Sequence, residues 1–227
     1  MLDSPMLTAT LPQLNALAGG LFLLTAFALT ATRQVQGCLR IYVIQSLLLA
    51  FSALLLGVLH SSIHLLVVAA ITVAIKTVLI PRLLRRTVGR DLYARREISQ
   101  ILNVPASLLI AVVIAVFAYT VTIPLLAETI GPYERVNLPI GTAALLLGAY
   151  TIAVRREAVP QVIGILAMEN GAFFAGISIA PGLPVIAELA AAFDVLIIAL
   201  VMGLLTRKIH EQTGTTTVGG MTALREE

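Results

Sequence analysis

This chain has one cysteine and few charges. Cys38 alone rules out an internal disulfide and any cysteine cluster for iron–sulfur or zinc, so redox chemistry by this chain by itself is not expected. Only 12% of its 227 residues are charged, against roughly 25% in an average soluble domain. The opening "MLDSPMLTAT" contains no Lys or Arg. It therefore lacks the basic region of a cleaved signal peptide, and the apolar segment that follows is expected to be retained. "GTTTVGG" near the C-terminus has no phosphate-binding spacing. His60 and His64 form a helical i,i+4 pair, but no third ligand lies near them, so a metal site is not expected.

What the chain does have is apolar length. It is 59% hydrophobic, with a mean hydropathy of +0.98. Runs long enough to cross a bilayer, roughly 17 to 25 residues, recur with short polar interruptions near 11–32, 41–59, 63–80, 102–126, 138–154, 161–180 and 185–206. The fold class this predicts is all-α, a polytopic transmembrane bundle of seven helices in the cell membrane, with no soluble domain. Nucleic acid is not an expected partner despite the basic balance, because in a membrane protein the placement of arginines matters more than their sum. Arg33 and Arg40, then Arg82, Arg85, Arg86, Arg90, Arg95 and Arg96, then Arg155 and Arg156, and finally Arg207, Lys208 and Arg225 all fall on one side of the alternation. Arg135 alone falls on the other. The positive-inside rule then predicts an outer N-terminus and a cytoplasmic C-terminus. The arginine-rich stretch 81–101 reads as a cytoplasmic loop that either lies on anionic lipid headgroups or docks a cytoplasmic partner subunit. Residues 209–227 read as a flexible tail.

Function should reside in the ionisable residues within hydrocarbon, where charge is expensive and normally faces a protein or water-filled interior. These are Lys76, Glu169, Glu188 and Asp194. At about 1.5 Å per residue, Glu169 and Asp194 share the middle of the membrane, and two acids at matched depth on consecutive helices can relay a proton through bridging water. The alternative is that Glu169 is polar glue, bonded to the adjacent Asn170 or to a neighbouring backbone. Glu188 approaches the outer surface and sits about 120° around the helix from Asp194. Lys76 lies about four residues from the expected end of its helix. It either snorkels to the interface or is a buried lysine that stores a proton, with Thr72 one turn before it on the same face.

The last three segments resemble the small three-helix, K-type subunit of respiratory complex I. "YTIAVRREAVPQVIGILAMENGAFFAG" follows a helix ending in Arg-Arg with one carrying a glycine, an acid and an asparagine. In the pattern G-x-E-x-x-x-N, Gly164 and Asn170 fit, but Leu166 stands at the acid's place and Glu169 comes one turn later. Asp194, ahead of Arg207-Lys208, takes the position of the third helix's acid. With the preceding helices, "AIKTVLIPRLL", the arginine-rich stretch and "GLPVIAELAAAFDVL", the whole chain resembles the hydrogenase-4 component E family.

That resemblance divides the chain into a four-helix extension (1–137), a K-subunit-like unit (138–208) and the tail. It implies a subunit that is not catalytic alone and binds no cofactor itself. Its partners would be antiporter-like membrane subunits, cytoplasmic redox subunits holding nickel–iron and iron–sulfur centres, and membrane lipids. Its role would be to supply buried acidic residues to a proton or sodium path. Two alternatives stay open: a subunit of a multisubunit cation/proton antiporter or ion-coupled uptake complex without redox chemistry, and a scaffold bundle that only holds partners together.

Overall fold

A computed structural model of the chain describes residues 5–88, 98, 100–126 and 134–179, together with Leu196 and Gly203. Apolar stretches with short polar joints leave the backbone no way to satisfy its hydrogen bonds in lipid except within helices, and helices follow one another throughout. They are α1 (Pro5–Ala31), α2 (Val35–Leu59), α3 (Ile63–Thr72), α4 (Ile80–Val88), α5 (Val104–Thr122), α6 (Glu134–Val154) and α7 (Ala158–Ile179). A π-helical segment, Val73–Leu79, joins α3 to α4 without a break, and a 3-10 turn, Ile123–Leu126, extends α5. Among the described residues the only strand-like pairing is an isolated bridge, Gln100 to Arg155.

Local sequence accounts for the joints. Asn103 caps α5 by accepting from the Ala106 amide at 3.0 Å, with proline inside the first turn, where its missing N–H costs nothing. Ser61 turns the chain between α2 and α3 at φ 51. Two boundaries differ from expectation. The second helix starts at Val35 rather than near 41, and stretch 81–101 begins as helix, not loop, as far as Val88. That continuation is amphipathic: Leu84 is buried while Arg82 and Arg85 are exposed, and arginine and leucine are good helix formers. Arg86 also falls on it; Arg90, Arg95 and Arg96 lie outside the described residues.

Among the described residues, five stretches are long and apolar enough to cross a membrane: Thr10–Ala31, Val35–Leu59, Ile63–Arg82, Val104–Thr122 and Val136–Val154. The chain is a multi-pass membrane protein. Of the expected last segment, 185–206, Leu196 and Gly203 alone are described, and the tail 209–227 lies outside the described residues.

Two cores hold the bundle. Leu29, Leu39, Tyr42, Ile80, Ile163 and Leu166 pack toward one end, and Phe22, Leu49, Leu56, Leu147 and Phe174 toward the other. Front helices and α7 contribute to both, while α6 packs into the second. Glycine lets the α6 and α7 backbones approach closely. A Cβ on Gly148 would stand 2.5 Å from the Met168 backbone, and one on Gly171 would collide with the Leu145 backbone.

Candidate functional site

Glu169 sits eleven residues into α7, about 16 Å along the helix, and its carboxylate faces Lys76. Lys76 Nζ is 3.4 Å from Glu169 Oε1, with the side chains 1% and 11% exposed. The ammonium also lies over the Phe173 ring, 4.1 Å from its centroid, where the ring quadrupole attracts a desolvated cation. Lys76 therefore does not snorkel. Its helix runs on to Val88, so the lysine lies deeper than a helix end near 80 implied, in the middle of the π-helical segment. Such segments have one residue more per turn and are frequent at functional sites. Thr72, the last residue of α3, is buried as well.

Beside the pair, α2 supplies neutral polar groups. Asn170 Nδ2 donates to Ser46 Oγ at 2.9 Å and to Gln45 Oε1 at 3.4 Å. Gln45, Ser46 and Asn170 are at most 1% exposed. Gln45 Nε2 and Asn170 Oδ1 have no hydrogen-bond partner among the described residues. Turning either amide over only changes which atom is left over, so this cluster keeps hydrogen-bonding capacity beyond its own members. Leu166, at the place where the resemblance expects an acid, is fully buried in the core with Leu39 and Tyr42. The acid one turn later meets the lysine instead.

A second buried polar group lies across α1, α2 and α6. Ser52 Oγ donates to Asn15 Oδ1 at 2.6 Å, Asn15 Nδ2 to Asn137 Oδ1 at 3.2 Å, and Asn137 Nδ2 to Ser52 Oγ at 3.3 Å. Sequence reasoning missed these three and also Gln45 and Ser46, because uncharged side chains do not stand out in an apolar run. An amide within a membrane helix was the signal available.

Arg155 was read from sequence as a topology mark. It is instead 2% exposed, and its Nη2 donates to the Leu29 and Thr32 carbonyls at 2.8 and 2.7 Å. These are carbonyls at the end of α1, where a cation meets the negative helix terminus. Burial pulls its pKa below the ordinary arginine value and Glu157 opposes the shift, but a guanidinium stays protonated regardless. Arg33, Arg40 and Arg156 are exposed at the same end of the bundle.

Of the other sequence candidates, Glu188 and Asp194 lie outside the described residues, and with them the expected pairing of Glu169 with Asp194. Among the described residues no three His, Cys, Asp or Glu side chains come together as metal ligands.

No family model and no solved structure matches the chain. Curated proteins do. An uncharacterized protein of Mycobacterium tuberculosis is 30% identical over 92% of this chain and 94% of its own length. Hydrogenase-4 component E of Escherichia coli, and the protein of the same name from Shigella flexneri, are each 29% identical over 93% of this chain and 96% of theirs. Over nearly its whole length the chain is homologous to hydrogenase-4 component E, the family that its sequence resembles.

Proposed function

We propose that this chain is a non-catalytic membrane subunit of a complex I-like hydrogenase, and that Lys76 and Glu169 form the proton-handling element it contributes. The observation that carries the reading is the ion pair itself, 3.4 Å long and nearly solvent-free in the middle of an apolar bundle. Removing one partner of such a pair leaves an uncompensated charge. A proton arriving at Glu169 neutralises the carboxylate, loosens its hold on Lys76 and leaves the ammonium free to pass its influence to the next group. A proton leaving restores the pair. Low dielectric makes each step electrostatically large. The arginine-bearing end, with Arg33, Arg40, Arg82, Arg85 and Arg156, faces the cytoplasm in this reading, and Arg82 and Arg85 on α4 offer a basic face to a cytoplasmic partner subunit or to anionic lipid. Asp194 and Glu188 extend the path beyond the pair. Nickel–iron and iron–sulfur centres belong to the partner subunits.

The test is purification of the tagged chain from membranes under mild detergent. Copurification of nickel–iron and iron–sulfur subunits supports the reading, and loss of hydrogen-linked proton transport in a Lys76→Met variant of that complex assigns the pair its role. An assembly that lacks redox subunits yet exchanges cations for protons would place the chain in an antiporter complex instead.

A further inference from the structure

One face of α2 carries an unusual series. Cys38, Tyr42, Gln45 with Ser46, Leu49 and Ser52 follow one another at steps of three or four residues, so they stack on one side of the helix about 5 to 6 Å apart. All are at most 1% exposed. The face is polar from the arginine-bearing end to the middle of the membrane and then changes at Leu49. At that level Phe22 and Phe174 stack with ring centroids 4.2 Å apart and an interplanar angle of 17°. Both rings are fully buried and share their core with Leu49. Phe174 lies one turn beyond Asn170. A methyl on Gly19 would stand 3.6 Å from the Phe174 ring and 3.5 Å from Asn137 Oδ1, so the ring borders the Asn15–Ser52–Asn137 group. Polar groups therefore lie on both sides of the aromatic pair, and nothing polar on α2 bridges it.

We infer that α2 is a one-sided access route: the Lys76–Glu169 pair exchanges protons with the arginine-bearing side along Tyr42, Ser46, Gln45 and Asn170, and the Phe22–Phe174 stack with Leu49 closes the route toward the opposite side. The inference rests on the proton-handling reading of the pair. Its chemistry needs no additional reagent. A hydroxyl accepts a proton on its oxygen while releasing its own, and water held by the leftover donor of Gln45 and acceptor of Asn170 does the same. Each passage ends with one O–H formed on the Glu169 carboxylate and one broken at the neighbouring oxygen. The route has unfilled hydrogen-bonding capacity where water is required, at Gln45 Nε2 and Asn170 Oδ1. The group beyond the aromatic stack bonds within itself. Buried polar atoms without protein partners are ordinarily met by water.

Cysteine accessibility tests this without reference to transport. In a Cys38→Ala background, Ser46→Cys and Ser52→Cys place a thiol on either side of the stack. Complexes in sealed vesicles of both orientations are treated with a small charged methanethiosulfonate. Ser46→Cys should react at least tenfold faster from the arginine-bearing side, Ser52→Cys should not react from that side, and Phe174→Ala should abolish the asymmetry at Ser46→Cys. If Phe174→Ala does not assemble, Phe174→Leu preserves most of the volume and should reduce the asymmetry severalfold. Equal reaction of Ser46→Cys from both sides, or reaction from neither, overturns the inference. Labelling as expected together with normal transport in a Glu169→Gln variant would sink the proton-handling reading and leave the access route standing.

Discussion

The two polar groups buried between these helices differ in what they leave unsatisfied. In the outer one, Asn15, Ser52 and Asn137 exchange hydrogen bonds among themselves and carry no charge. In the central one, Lys76 and Glu169 carry full charges, and Gln45 and Asn170 keep a donor and an acceptor over. The first arrangement suits fastening helices, since its bonds are complete and nothing in it titrates near neutral pH. The second is costly as glue: an ion pair taken out of water is often no more stable than apolar residues of the same volume. The proposed proton-handling role gives a reason for its presence in an apolar bundle.

Breaking the central pair should have the largest effect. Lys76→Met leaves Glu169 without its cation, and the complex should lose about 3 to 5 kcal/mol of stability, read as a lower thermal midpoint in detergent. Adding Glu169→Leu to that variant should restore most of the midpoint but none of the proton transport. Recovery of transport in the double variant would make the pair a fastener like the outer group. Next in size is Gly171→Val, which forces α7 off the Leu145 backbone and should cost on the order of 1 to 3 kcal/mol or more through overpacking, measured as reduced recovery of assembled complex.

Arg155→Met removes the donor to two α1 carbonyls, with an expected loss of about 1 to 3 kcal/mol from the unmet backbone groups. Arg155→Lys should recover part of it, and thermal unfolding of both variants checks the order. The smallest effect belongs to the outer group. Asn137→Ala should cost about 1 kcal/mol, as interhelical hydrogen bonds in membranes do, and leave hydrogen-linked proton transport unchanged. A transport defect there as large as that of Lys76→Met would erase the distinction between the two groups.

Much of the architecture was legible from sequence because hydrocarbon forces helices and apolar length reveals them. Six expected segments coincide with described helices, and Glu169 stood out as a charge in an apolar run. Where reading failed, the reasons are local. Lys76 is expected about four residues from a helix end near 80, yet Leu84 is buried and the helix continues to Val88. Its proximity to Glu169 is a contact between helices that are distant in sequence, which no spacing along one chain records. Nor does spacing reveal the π-helical segment that carries it. Arg155 looked like any other interfacial arginine because its acceptors are backbone carbonyls of α1, invisible to a pattern of side chains. Asn15 and Asn137 carry no charge to attract notice, and their partnership likewise exists only in the fold.

The proposed proton-handling role depends on Glu169, and hydrogen-linked proton transport in vesicles containing the intact complex with Glu169→Gln tests it most directly. The substitution keeps size and hydrogen-bonding capacity while removing the titrating charge. Proton transport should fall at least tenfold while hydrogen turnover with an artificial electron carrier is retained. Transport at the unsubstituted rate would contradict the account and leave the Lys76–Glu169 pair a structural contact.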